Sequence, residues 1–251
     1  MNLEELLRVK SSLREISPHK QLFVDYYTNA TDENELKLDK TIRLTEVTDA
    51  LLRNDSSFFD EVLPAIYAVN IRMAMSLDEN ALDTETRTLR YDFLFRAADV
   101  ARRIFEIGTG DKKIDIQWGE TSYFHFLQAA NAIESENKYK AARAYHKAAR
   151  VAKQLYDSSD NLKWLSKSLA SYNYAAYLMF DVDMKESAYL YARTAQRASE
   201  LYDRNVAPGV LKIGIDACNF FFSYYKSNPI PDWMRLNGQV QSSWRILTSK
   251  K

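Results

Sequence analysis

Apolar positions recur at helical spacing along nearly the whole chain, and no segment alternates with period two. Leu3, Leu6, Leu7 and Val9 predict a short helix that ends before Ser17-Pro18. Leu22, Phe23, Val24 and Tyr27 follow that proline, which suits a first helical turn. Leu36, Ile42, Leu44, Val47, Leu51 and Leu52 predict a third helix, stopped by Arg53-Asn54-Asp55. Ser57 is placed to cap a fourth through Phe58, Val62, Ile66, Val69 and Met73, with a kink or a later start at Pro64. A fifth runs from about Thr84 to Ile107 and stops at Gly108-Thr109-Gly110. The stretch Asp111 to Gly119 reads as the longest loop of the C-terminal half, and as a mobile one. At the far end, Val210 to Tyr225 pairs with a helix beyond Pro229-Ile230-Pro231 that carries Trp233, Val240, Trp244 and Ile246.

Past the expected loop the chain repeats itself. Ala129-Ala130 and Ala175-Ala176 stand 46 residues apart, and at the same offset Phe126 matches Tyr172, Ile133 matches Met179 and Ala142 matches Ala188. Tyr145 matches Tyr191, Ala149 matches Ala195, Ala152 matches Ala198, and Leu155-Tyr156-Asp157 matches Leu201-Tyr202-Asp203. An earlier copy, Arg96 to Glu106, lies 51 residues before Lys147 to Asp157. Tyr145, Ala149, Ala152 and Tyr156 share one helical face, as do Leu94, Ala98, Ala101, Phe105 and Tyr191, Ala195, Ala198, Tyr202. Paired alanines let a neighbouring helix approach closely, and the large residues at the ends fill the gaps beside it. Such a hairpin cannot bury its apolar face alone, and stacking copies solves the problem. The expected fold is all-α, with antiparallel hairpins stacked as an α-solenoid of roughly ten or eleven helices. Residues 1–80 are expected to form N-terminal helices, either further hairpins or a cap, and residues 81–251 the repeat region.

Composition narrows the picture. Among 251 residues there are 6 Gly and 5 Pro, against about 17 and 12 at usual frequencies, which excludes a Gly-rich sandwich and a Pro-rich linker protein. Apolar residues make up 46% and aromatics 13%, enough to bury a large core. Lys+Arg and Asp+Glu both number 34, with no long basic run, so no nucleic-acid partner is expected. Cys218 stands alone and cannot form an internal disulfide. The start of the chain carries charge through its apolar stretch, Asn2 excludes myristoylation and Lys250-Lys251 is no prenylation box. No apolar run approaches the length of a membrane span, so no membrane insertion is expected and the location expected is cytoplasmic.

The stretch from Ala129-Ala130-Asn131 to Ala141-Ala142-Arg143-Ala144-Tyr145-His146-Lys147-Ala148-Ala149 resembles a tetratricopeptide-like hairpin, and the nearest local likeness is to the soluble NSF attachment protein family. With Ala142 opening the second helix, Phe126, Ala129, Ala130, Ile133 and Ala149 take the repeat's usual large and small positions. The pattern departs in having Ala130 at the customary glycine, Tyr145 one place early and repeats longer than the usual length. The likeness spans roughly residues 85–227 and speaks for fold more than for role. Fragments around Ser242 to Leu247 and Asn219 to Tyr225 resemble the 14-3-3 phosphopeptide-binding family, but in the wrong chain order and without an Arg-Tyr pair to grip phosphate.

Catalytic chemistry is sparse. His19, His125 and His146 form no metal-ligating frame, so no metal or cofactor is expected, and His146 reads as a surface or hairpin-contact residue. Cys218, within the apolar run Ile213 to Phe222, reads as a buried, inert thiol. Gly108-Thr109-Gly110 reads as a helix stop rather than a phosphate loop, and Asp181-Val182-Asp183 as a turn and cap. The expected role is therefore a noncatalytic adaptor that binds a peptide or helix of a protein partner along the first helix of each hairpin. Asn131, Tyr177 and Asn219 take equivalent inward positions in the repeat, with Asn173 one turn earlier; Asn offers backbone hydrogen bonds and Tyr amphipathic area. The rival expectation is an all-helical enzyme or small-ligand regulator using the aromatics of Tyr172–Phe180 and Phe220–Tyr225.

Overall fold

A computed structural model describes residues 56–78, 83–204 and 208–249. The three helices expected before Arg53, and the side chains of Phe58 and Val62, lie outside the described residues. Among the described residues there are eight α-helices, one 3-10 turn and no strand. The helices are α1 (Ser56–Ser76), α2 (Thr84–Ile107), α3 (Lys112–Ile133), α4 (Lys138–Ser159), α5 (Leu162–Met179), α6 (Met184–Asp203), α7 (Pro208–Ser227) and α8 (Met234–Ser249). The 3-10 turn, Pro231–Trp233, leads into α8.

Five successive helices start on a short acidic or amide side chain that accepts from the free N–H groups of the first turn. Asp83 accepts from Thr86, Asn137 from Lys140, Asn161 from Lys163 and Asp183 from Glu186, at 2.7–3.0 Å. Asp111 accepts from both Lys113 and Ile114, at 2.8 and 3.3 Å. That cap overturns the expected loop at Asp111 to Gly119, which is the opening of α3. Gly119 does not break the helix; it makes room for a neighbour, because a Cβ there would stand 2.7 Å from Leu155 Cδ2. The end of α2 is as expected: Gly108, at φ +79°, donates its N–H to Ile104 O. α1 runs through Pro64 without a later start, beginning at Ser56. In α8, Val240 is buried as expected, but Ile246 is exposed and Leu247 takes the inner position.

Each helix packs chiefly on the next in the chain, and α8 also packs on α6. Longer contacts sort the helices into two layers. α2 and α4 are joined by Lys140–Asp92 and Lys147–Asp99 ion pairs and by Gln154 donating to Glu106. α4 and α6 meet at His146 and Glu186, and α6 and α8 at Ser199–Ser243 and Gln196–Gln239. The other layer, α1, α3, α5 and α7, is joined by edge-to-face pairs of Tyr67 with Trp118 and Tyr123 with Trp164, and by Phe180 with Phe220. Trp118 and Trp164 are themselves 46 residues apart.

The alanine stripes lie where the layers meet: Ala98, Ala101, Ala149, Ala152, Ala195 and Ala198 are fully buried. Close approach has a polar counterpart that the apolar pattern conceals. The buried Ser122 hydroxyl donates to Ala98 O and that of Ser168 to Ala149 O, both at 2.7 Å. The donors are 46 residues apart and the acceptors 51, the offsets found in the sequence repeat. In the third copy the serine is replaced by Gly214, where a Cβ would stand 2.7 Å from Ala198 Cβ.

Candidate functional site

Asn131, Asn173, Tyr177 and Asn219 stand on α3, α5 and α7, the first helices of three successive hairpins. Two tyrosines of the opposite layer reach through to these helices. Tyr145 of α4 meets Tyr174 of α5 edge-on, with ring centroids 4.8 Å apart. Tyr191 of α6 meets Phe220 of α7 at 4.5 Å. Both members of the second pair follow the first by 46 residues, so the wedge is a repeated device. It also sets the register of the third copy: Asn219 falls opposite Asn173 rather than Tyr177.

Around the first wedge the polar groups are tied together. The Tyr145 hydroxyl donates to Asn131 Oδ1 at 2.7 Å and reaches Glu134 Oε2 at 3.3 Å. The Tyr174 hydroxyl donates to the other oxygen, Glu134 Oε1. The hydrogen bond to Glu134 is the chief reason the Tyr174 phenol is raised above its usual range; for Tyr145 burial comes first and the carboxylate second. Tyr177, one turn beyond Tyr174, lies 6.1 Å from it with the rings 23° from parallel. Tyr177 is 65% exposed, an unusual state for so large a ring.

Of the four residues expected to bind a partner, Asn131, Tyr177 and Asn219 are exposed and Asn173 is half-buried. The wedge joins Asn131 to the Tyr174–Tyr177 pair; Asn219 adjoins Phe220 at the second wedge. Sequence reasoning missed Glu134, Tyr145 and Tyr174 as members of this surface. The 46-residue correspondence of Tyr174 with Phe220, beside that of Tyr145 with Tyr191, was the available signal.

The other singled-out groups are structural. His146 packs between Tyr172 and Tyr189, at 5.7 and 6.1 Å, as a hairpin-contact residue. Burial, then the cations of Arg150, Lys147, Arg193 and Arg143, push its pKa down to about 4, and Glu186 Oε1 at 3.8 Å is too far to hydrogen-bond it. Cys218 is fully buried, and burial pushes its thiol up to about 12. A cavity of about 220 Å³ lies between α4 and the start of α6, lined by Tyr139, Arg143, His146, Asp183 and Glu186 among others. Its lining mixes Arg143, Asp183 and Glu186 with apolar Ala142, Met179 and Leu190, and differs from the aromatic interior expected for a small ligand. Among the described residues no group of three or more His, Cys, Asp or Glu is placed to hold a metal ion, and no helix is long and apolar enough to cross a membrane.

No family model and no curated protein matches the chain. Among solved structures, it is similar to the de novo designed helical repeat protein DHR64, with 12% identity, 98% of this chain and 96% of that one covered, and a TM-score of 0.32. It is also similar to the DHF58 filament, with 13% identity, 92% and 95% covered, and a TM-score of 0.36. Both likenesses are loose, and the repeated helical hairpins among the described residues stand on their own internal correspondences.

Proposed function

We propose that the chain is a noncatalytic adaptor: a tetratricopeptide-like α-solenoid, resident in the cytoplasm, that holds a peptide or helix of a partner protein along the first helices of its hairpins. The observation that carries the reading is the exposed Tyr177 beside Tyr174, on a surface tethered to Asn131 through Tyr145. Tyrosine supplies a large amphipathic contact at low cost in side-chain entropy, and interface hot spots are enriched in it. Asn173 and Asn219 recur at one register and offer amide donors and acceptors to an extended backbone.

The test is a double substitution, Asn173→Ala with Tyr177→Ala, followed by melting temperature and partner recovery from the native cell on the same preparation. Lost recovery at unchanged stability supports the adaptor; the expected loss is about 1–3 kcal/mol of binding. Undiminished recovery places the binding surface elsewhere and sinks the assignment. A large drop in melting temperature would make the two side chains part of the packing between repeats.

A further inference from the structure

The surface around Tyr177 has a chemical bias that narrows what it can hold, provided the adaptor reading is right. Aromatic faces carry negative charge density and attract cations within about 6 Å of the ring centroid. Elsewhere the protein fills such places itself. Lys167 Nζ stands 4.1 Å from the Trp164 ring and 4.8 Å from those of Tyr123 and Phe124. Lys140 lies over Tyr91, and the Arg193 guanidinium over Tyr189, each at 5.0 Å. At Tyr174 and Tyr177, among the described residues, no cation of the chain takes that place. The carboxylate bonded to Tyr174, Glu134, accepts from that phenol, lies 3.3 Å from the Tyr145 hydroxyl whose proton goes to Asn131, and has no ion-pair partner among the described residues. A neutral donor leaves its negative charge in place and most of its roughly four acceptor positions free. Lys138, at the start of α4, is engaged with Asp181.

We propose that Tyr174, Tyr177 and Glu134 form a receptor for the arginine or lysine side chain of a basic segment of the partner. A guanidinium suits the place best. It is planar and weakly hydrated, stacks on a phenol face and keeps an N–H edge for the carboxylate. The near-parallel setting of Tyr174 and Tyr177 offers such a face, and the exposure of Tyr177 leaves it open to a side chain arriving from solution.

The experiment uses the full chain and three fluorescein-labelled peptides that alternate Gly-Ser with Arg, Gln or Glu, read by anisotropy at one ionic strength. The Arg peptide is expected to bind more tightly than the Gln peptide, and the Glu peptide not to bind. Tyr177→Ala and Glu134→Gln should each weaken the Arg peptide about three- to tenfold. Tyr177→Phe should restore most of the loss, because the ring remains. Tyr139→Ala, at another exposed aromatic, should leave the affinity unchanged. Equal affinity for the Arg and Gln peptides overturns the proposal, and so does an Arg affinity untouched by Tyr177→Ala, which would mean diffuse attraction to acidic side chains. Lost partner recovery in the Tyr177 variant with no preference for the Arg peptide leaves the adaptor standing and removes this inference. An Arg preference that depends on Tyr177, with partner recovery intact, upholds the receptor and places the adaptor's surface for that partner elsewhere.

Discussion

Gly214 and Gly119 occupy similar places inside helices, and their neighbours separate their fates. A Cβ on Gly214 would meet Ala198 Cβ at 2.7 Å and Leu247 Cδ1 at 2.8 Å, and the first of these is carried on a buried helix with no rotamer to yield. Gly214→Ala is therefore expected to cost about 1–3 kcal/mol by overpacking, more than the roughly 1 kcal/mol of helix propensity it gains. Gly119→Ala meets the end of the Leu155 side chain at 2.7 Å, which can turn aside, and should lie closer to neutral. Urea denaturation of both variants checks the pair, and equal midpoints would refute the distinction. His146 gives a pH dependence with a definite sign. Its pKa is lower folded than unfolded, so the unfolded chain binds the proton more readily and acid favours unfolding. The stability it contributes is complete above about pH 6.5 and is lost as the pH falls toward its folded value of about 4. Glu186, raised by burial and then by Asp183, works in the opposite direction. Between pH 7 and 5 the loss from His146 should be roughly 1–2 kcal/mol, and His146→Phe should reduce the slope, leaving the part that His125, also lowered by burial, contributes with the same sign; an unchanged slope in that variant would exclude His146 as a source.

At the scale of the element, α2, α4 and α6 are each held by a cap at the N-terminal end and an alanine stripe along their length. Asp183→Ala removes the acceptor for the Glu186 N–H and should cost about 0.5–2 kcal/mol. Ala149→Leu places a large side chain in a fully buried contact and should cost about 1–3 kcal/mol. Thermal melts of the two variants read both losses; a stripe variant as stable as the parent would mean that the helix faces something other than its neighbours. The stripes were legible in the sequence because spacing alone reveals a helical face. Asp183 was legible too, since an acidic turn between two periodic runs has few other uses. Asp111 was not, because the stretch from Asp111 to Gly119 read as a loop, and only the position of Leu155 on another helix explains why glycine stands within α3. Ser122 and Ser168 escaped for a related reason: a serine within a helix carries no sign of the carbonyl it will meet across a layer.

For the whole molecule, the two layers and the repeat offsets were readable, while the surface joining Asn131 to Tyr177 emerged only when residues far apart in sequence met. Tyr145 reads as a stripe residue, and its second role appears once its hydroxyl is found beside Asn131 and Glu134. Among the described residues, packing falls into two buried clusters, one containing Cys218 and Leu247, the other Ile133 and Met179. Because Cys218 is the only thiol and is fully buried, a thiol reagent reports the opening of the first cluster. Leu247→Ala is expected to speed Cys218 labelling more than Ile133→Ala, although both remove fully buried side chains worth about 2–5 kcal/mol. Equal acceleration would show that the chain opens only as a whole.

Contacts confined to neighbours also determine how the fold would bear tension. Pulled from Ser56 and Ser249, hairpins that pack on their neighbours present their interfaces to the load in series, so the weakest yields first and leaves the others intact. A hairpin unit of 46 residues would release about 150 Å of extended chain, and the force trace would be a staircase of similar treads. Anything tethered across the stack would then feel a yielding spring, which lengthens by whole units and recoils when hairpins refold onto their neighbours.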